Sequence, residues 1–183
     1  MANRGTRQQA DDGILDKAAA LFARHGYTQT SVQAVADSVG LSKAGLLHHF
    51  PSKEALRTAV VARIQSLEQE VLDQVAEIPL GPARDRVVLE TLYDQAIARP
   101  GLVALAIGYF ASLDAAASEA DRELLNSRVL AAFGGDTSST ERVLRVTGAV
   151  GALSLLVLTV HQAGKNSAWR GHVIATSMGA LGH

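Results

Sequence analysis

The segment SVQAVADSVGLSKAGLLHHF, residues 31–50, limits the fold of this 183-residue chain more than any other stretch. Its small and apolar residues recur at spacings that suit two short helices crossing at a tight turn: Val35, Ala36, Val39, Gly40, Leu41 and Leu46. The alanine lets the second helix pass directly over the first, and the glycine allows a left-handed turn between them. The sequence therefore predicts a helix-turn-helix.

The rest of the chain also shows helical periodicity, and β-branched residues never alternate long enough to indicate a strand. One long helix over about 53–77 carries a single apolar stripe, formed by Leu56, Val60, Ile64, Leu67, Val71 and Val75. The segment IPLGP, residues 78–82, breaks this pattern and is the expected hinge. Further helices are predicted at about 83–98, 102–116, 119–133, 138–163 and 167–181. We therefore predict an all-α chain, with a helix-turn-helix domain at 1–57, the linking helix at 53–77 and a helical domain at 78–183.

Polar residues at the helix starts predict where the first helices begin. Asp11 or Asp12 is expected to cap the first helix, and Ser42 the third. Gln33 follows Thr30 by three residues, which is the spacing of a capping box, so Thr30 is the expected start of the second helix.

Composition narrows the class of protein. Residues 1–57 carry seven Lys or Arg against five Asp or Glu, so a polyanion would dock at this end of the chain. The chain has no cysteine and no apolar leader, which predicts a cytoplasmic protein without disulfides or thiolate metal sites. The apolar run at 146–160 would rise only about 22 Å as a helix, less than the ~30 Å of a bilayer core, so we predict no membrane span.

The helical geometry of residues 43–49 leaves several roles open for His48 and His49. If Leu46 and Phe50 point inward, then the Lys43–Leu47 and Ala44–His48 rows face outward. Adjacent histidines on a helix point about 100° apart, so they do not share a metal ion, and no catalytic nucleophile accompanies them. For His48 we predict DNA contact. His49 either touches DNA or only packs the helix end.

The segment TSVQAVADSVGLSKAGLLHHFPSKEAL resembles the DNA-binding segment of the TetR family of bacterial transcriptional regulators. The family pattern is met at Leu41, Ser42, Lys43, Leu46, His49, Phe50, Ser52, Lys53, Glu54 and Leu56. The resemblance implies that Ser31, His49 and Lys53 contact phosphates and that Lys43, Ala44, Gly45, Leu47 and His48 face the major groove. With Thr30, Gln33 and Ser42 at the helix starts, these residues form the predicted double-stranded DNA site.

Two positions depart from the family pattern. Many relatives carry threonine and tyrosine where this chain has Gly45 and Leu47. A hydroxyl that could bond a phosphate is therefore missing, and Leu47 can instead meet a thymine methyl. Arg4 and Arg7 in the N-terminal arm could reach a minor groove, as basic arms do.

For residues 78–183 the resemblance implies a regulatory domain that dimerises and binds a small-molecule effector. Candidates for an apolar ligand pocket are Tyr93, Tyr109, Phe110, His161 and Trp169. Small-residue stripes on the last two helices predict a homodimer interface at Gly148, Gly151, Ala152, Leu155, Ala168, His172, Ala175 and Gly179.

The predicted function is a repressor that binds a palindromic operator as a homodimer and is released by a small, mostly apolar ligand. No cofactor is expected. An enzyme is disfavoured because the sequence contains no nucleophile elbow, phosphate-binding glycine loop or paired His-Glu motif. The alternative is a dimeric interaction protein of the same fold with weak or lost DNA binding.

Overall fold

The computed structural model describes residues 2–111, 128–134 and 139–183, apart from residue 166; side chains are described from residue 8 and, in the last turn of the sixth helix, only up to residue 108. Within these ranges the chain forms nine helices and no strand, which confirms the predicted all-α class. The helices are α1 Ala2–His25, α2 Val32–Ser38, α3 Lys43–His49, α4 Lys53–Val75, α5 Pro82–Ala98, α6 Pro100–Ala111, α7 Arg128–Ala132, α8 Thr140–Gln162 and α9 Arg170–Leu181.

Two predicted helices extend beyond the described residues. The prediction of 102–116 begins within α6, and its last residues lie outside the described range, as does most of the 119–133 prediction. The start of α1 was predicted wrongly: the helix already includes Asp11 and Asp12 in its interior, so neither residue caps it. These carboxylates instead bond to residues on other helices.

The helices group into two compact units. The first unit comprises Met1–Gln65 with Arg99–Asp114, and the second comprises Ser66–Ala98 with Ala115–His183. The division passes through α4, unlike the predicted boundaries at 57 and 78. The difference arises because α6 packs against α1 and so joins the helix-turn-helix unit.

The helix-turn-helix core is built from the residues that the pattern singled out. Val35, Ala36 and Leu46 are buried, and Gly40 adopts a left-handed φ of 71° at the turn between α2 and α3. The α4 stripe is buried along its whole length, from Leu56 to Val75. These predictions are confirmed because each depends only on local helical spacing.

The start of α6 is held against α1 by one carboxylate. Asp16 Oδ1 accepts hydrogen bonds from the backbone N–H groups of Gly101 at 2.8 Å and Leu102 at 3.0 Å. Both donors belong to the first turn of α6, where a helix has no internal partners for its N–H groups and favours negative charge. A second α1 carboxylate, that of Asp12, lies 3.3 Å from Arg63 Nε and 3.7 Å from Arg99 Nη2.

Gly101→Ala is expected to destabilise the first unit by about 1–3 kcal/mol, the usual effect of overpacking. A Cβ at this position would collide with the backbone carbonyl of Asp16 and lie 3.0 Å from Ala20 Cβ. Urea unfolding followed by circular dichroism measures the change. Gly13→Ala, also inside a helix but with open space around the added methyl, is the matched control and should stabilise by up to about 1 kcal/mol. A neutral Gly101→Ala would contradict the close contact.

In the second unit, Arg84 and Arg142 bond to residues at or near the ends of other helices. Arg84 donates hydrogen bonds to the carbonyls of Ala132 at 2.7 Å, Val75 at 2.8 Å and Ile78 at 2.9 Å. Arg142 Nη2 lies 2.9 Å from both oxygens of Asp85, a carboxylate only 1% exposed. The segment 78–82, predicted as a hinge, is thus flanked by side-chain bonds that fix where α5 begins.

The helix α8 has one face inside the second unit and one face exposed. Val146, Ala149, Leu153, Val157 and Val160 are buried. The helix is 23 residues long, so the length argument drawn from residues 146–160 was wrong: by length and composition alone α8 could cross a membrane. Core helices of soluble proteins can have the same length and apolar composition. The buried face of α8 packs mainly against α9 and also against α5.

Candidate nucleic-acid interface

Three serines start the helices of the candidate interface. Ser31 Oγ accepts from Ala34 N, Ser42 Oγ from Gly45 N and Ser52 Oγ from Ala55 N, each at 3.0 Å. The hydroxyl hydrogens of Ser31 and Ser42 are not used in these caps, and both residues are exposed. Each can therefore still donate a hydrogen bond to a phosphate oxygen while it caps its helix.

The second helix begins one residue later than predicted, and Thr30 has a structural role. Ser31, not Thr30, is the N-cap. Thr30 is 4% exposed, and its hydroxyl lies 2.9 Å from the carbonyl oxygen of Gly26 and 3.2 Å from that of Leu21. Gln33 does not complete a capping box but donates to Asp37 Oδ1 at 2.7 Å. Thr30 is therefore buried, whereas the sequence predicted that it would lie on the DNA-binding surface.

The outward face of α3 carries the residues predicted to enter a groove. Lys43, Ala44 and His48 are exposed and Leu47 is partly exposed, whereas Leu46 between them is completely buried. At Gly45 an added Cβ would come within 3.3 Å of Ser42 Oγ, so an alanine would crowd the cap of this helix. The face is small, uncharged apart from Lys43, and unobstructed by long side chains of α3.

His49 bonds within the protein. Its Nδ1 lies 2.6 Å from Asp11 Oδ1, and both side chains are partly buried. This contact joins the end of α3 to α1 across 38 residues of sequence, which no local pattern could have predicted. Of the two roles left open for His49, the structure supports the packing role. His48, by contrast, remains exposed.

Lys53 stands at the start of α4 within a small polar cluster. Its Nζ lies 3.2 Å from the carbonyl oxygen of Thr28 and 4.3 Å from the centre of the Tyr27 ring. Tyr27 in turn donates to Glu54 Oε1 at 3.3 Å. No local sequence pattern pointed to Tyr27, because Lys53 and Glu54 lie more than 25 residues after it in the chain. The ammonium keeps donors for a further acceptor, since one bond uses one of its three hydrogens.

Two pKa shifts accompany this cluster. Partial burial raises the pKa of Tyr27, and the negative charge of Glu54 adds to the effect. The pKa of Glu54 is lowered, chiefly because its carboxylate is hydrogen-bonded by its own backbone N–H and by the Ser52 hydroxyl. Near neutral pH Tyr27 is therefore a phenol and Glu54 a carboxylate, next to the Lys53 side chain at the start of α4.

Of the residues predicted to line a ligand pocket, the three whose side chains the structure describes do not line one common groove. Tyr93 is buried, with the guanidinium of Arg170 5.7 Å from its ring centre. His161 is exposed, and the side chains of Tyr109 and Phe110 lie outside the described residues. A mainly apolar groove of about 310 Å³ between α8 and α9 includes Trp169 but neither Tyr93 nor His161. Its lining is Leu156, Thr159, Val160, Trp169, His172, Val173 and Thr176.

The predicted dimer residues lie at exposed or partly exposed positions of α8 and α9 or just before α9. On α9, Ala168 just before the helix, His172, Ala175 and Gly179 are exposed at steps of four, three and four residues. On α8, exposed Gly148, Gly151 and Leu155 form a row with Leu144 and Leu158, and Ala152 is partly exposed beside it. A Cβ at Gly148, Gly151 or Gly179 would meet no atom within 4 Å. The protomer itself therefore does not require glycine at these three positions.

Comparison with known proteins identifies the helix-turn-helix. Residues 14–60, which include α2, α3 and the start of α4, match the model of the bacterial regulatory proteins of the tetR family. Over these residues the chain is similar to the TetR family. The resemblance drawn from the sequence is thereby confirmed.

The TetR-family relatives differ in how much of the chain they share. The repressor KstR2 of Rhodococcus jostii is 33% identical over 79 residues, which is 43% of this chain and 37% of the relative. A TetR-family regulator from Bordetella parapertussis has a TM-score of 0.63 at 20% identity, covering 91% of this chain and 93% of that one. AibR, solved with isovaleryl coenzyme A and operator DNA, has a TM-score of 0.55 at 22% identity, covering 94% and 97%.

These matches show how much of the chain resembles TetR-family proteins in sequence and how much in fold alone. The chain spans less than half the length of the first curated relatives that it matches. Beyond residues 14–60 the likeness to solved TetR-family structures is one of fold, at identities near 20%.

Proposed function

We propose that this chain is a cytoplasmic, DNA-binding transcriptional repressor that acts as a homodimer on a palindromic operator. The observation that carries the proposal is the exposed face of α3, with Lys43, Ala44, Leu47 and His48, on a helix-turn-helix of the TetR family. A helix of this size fits the major groove, where base edges can be read.

The phosphate contacts come from the residues around that face. Ser31 and Ser42 donate their free hydroxyl hydrogens, and Lys53 supplies a positive charge from the start of α4. Thr30 is left out because its hydroxyl is buried and bonded. His49 fixes the end of α3 through the bond of its Nδ1 to Asp11, and its Nε2 remains as a donor for a phosphate.

The homodimer is formed by the exposed face of α8 and α9. Leu144, Leu155 and Leu158 are 66%, 67% and 51% exposed and lie on one row of α8, where large apolar side chains in water favour association. The exposed glycines on these helices would let a partner's helices approach closely. A two-fold dimer presents two copies of α3, as a palindrome requires.

Release by a small, mostly apolar effector completes the proposal. AibR, which shares the fold of this chain, was solved in complex with isovaleryl coenzyme A and operator DNA. A ligand can release DNA only through a difference in its affinity for two conformers. The helix α4 starts beside the DNA-facing residues and continues into the second unit, so it is the natural connection.

Lys53→Ala is expected to weaken operator binding and to reduce the salt dependence of binding by about one unit of slope, because one phosphate contact is lost. Fragments selected from a genomic library with the purified protein would supply the operator. Fluorescence anisotropy over a salt series then measures the slope for both proteins. Lys165→Ala removes an equal charge outside residues 14–60 and should leave the slope unchanged.

The same experiment separates this function from its alternative. Enrichment of a palindrome with the expected change in slope would support the repressor. A protein that dimerises but enriches no sequence would instead favour a helical interaction protein with lost DNA binding. The observation that favours this alternative is the small number of charged residues in α3, where Lys43 is the one Lys, Arg, Asp or Glu.

A further inference from the structure

The recognition face of α3 offers few polar groups with which to read bases. The helix, KAGLLHH, contains no Asp, Glu, Asn or Gln. It therefore lacks the carboxylates that accept from cytosine and the side-chain amides that pair with adenine. On neighbouring α2, Gln33 is held by Asp37 at 2.7 Å. The exposed polar side chains of α3 that can contact base edges are those of Lys43 and His48. A lysine most often donates to guanine.

The apolar part of the same face is placed for a different kind of contact. Ala44 and Leu47 are three residues apart, so they lie on one side of α3 and are separated by a rise of about 4.5 Å. Neighbouring base pairs are stacked about 3.4 Å apart. Two apolar groups at this separation therefore face neighbouring base pairs when the helix lies in the groove.

Leu47 is less buried than its neighbour. Leu46 is completely buried and fills the core beneath α3, whereas Leu47 stays partly exposed. Within the major groove, the apolar group displayed by the bases is the 5-methyl of thymine. Burial against that methyl would remove Leu47 from water.

We infer that Ala44 and Leu47 read the methyl groups of thymines at two neighbouring base pairs in each half-site. Lys43 and His48 contact the flanking pairs, with guanine as the partner of Lys43. This specificity rests on the proposed function, since it describes how the same face selects its operator. It makes Ala44 and Leu47 the residues that determine sequence preference, and it leaves Lys53 and the serines to supply affinity for the backbone.

The test replaces each thymine of the selected operator, one position at a time, with deoxyuridine. That change removes only the 5-methyl group and preserves base pairing. Anisotropy titrations of the full chain should show about fourfold weaker binding at the position facing Leu47, the expected effect of losing one buried methyl. A second, smaller loss should occur at the neighbouring position, which faces Ala44.

Substitutions in α3 show which side chain contacts each thymine methyl. Leu47→Ala should bind the thymine and deoxyuridine duplexes alike at the Leu47 position, whereas Leu47→Met, which keeps an apolar side chain, should retain the preference for thymine. Lys43→Ala is the matched control, expected to weaken both duplexes equally and leave their ratio unchanged. Circular dichroism of each variant checks that α3 still folds.

The outcomes separate this inference from the proposed function. If a palindrome is enriched but all deoxyuridine duplexes bind as well as the parent, thymine reading is wrong while the repressor stands. The inference also fails if folded Leu47→Ala still prefers thymine at the same position. If no sequence is enriched at all, the proposed function itself fails, and the specificity falls with it.

Discussion

Leu155→Arg is expected to convert the proposed homodimer into monomers, raising the dimer dissociation constant by at least about a hundredfold. In a two-fold interface the substitution appears twice, so two leucines are lost from the buried area and two guanidinium groups are buried without a partner. Each tenfold change corresponds to about 1.4 kcal/mol, and the two sites together supply more than twice that. Sedimentation velocity over a range of protein concentrations measures the change directly.

The control for this substitution is another exposed leucine. Leu80 is 64% exposed but lies outside α8 and α9, so Leu80→Arg should leave the dimer intact. Operator affinity should fall with dimerisation in Leu155→Arg, because one copy of α3 reads only half of a palindrome. A Leu155→Arg protein that remains dimeric at low concentration would move the interface away from the exposed face of α8.

Leu46→Ala is expected to lower the free energy of unfolding by about 2–5 kcal/mol, the usual effect of truncating a fully buried leucine. The side chain is 0% exposed and fills the small core beneath α3. A loss of this size is a large fraction of the roughly 5–15 kcal/mol by which domains are stable, so operator binding should weaken strongly near physiological temperature. Urea unfolding at equilibrium, followed by circular dichroism, gives the change in midpoint.

Leu47→Ala is the matched control, since it makes the same chemical change at the next residue. Because Leu47 is partly exposed, its truncation should destabilise less than that of Leu46, by about 1–2 kcal/mol. The pair therefore separates folding from recognition: one leucine supports the core and the other faces outward. Equal destabilisation by both substitutions would show that the assignment of the buried and exposed faces of α3 is wrong.

The regularities within single helices were readable from the sequence. The apolar stripe of α4, the alanine and glycine of the helix-turn-helix and the Ser42 cap all follow from spacings of a few residues, and the structure contains each of them. Such features are determined locally, because helical geometry brings residues three and four apart onto one face. For the same reason the exposed row on α3 could be predicted before its surroundings were known.

Contacts between distant segments were decided only by the tertiary structure. His49 was left with two roles until Asp11, 38 residues earlier, proved to lie within 2.6 Å of it. Thr30 has the spacing of a helix cap, yet its hydroxyl lies within hydrogen-bond distance of the carbonyls of Leu21 and Gly26. The α6 helix joins the first unit because Asp16, 85 residues before Gly101, accepts its first free N–H groups. Local spacing determines which face each helix presents, whereas these pairings depend on how helices distant in sequence pack together.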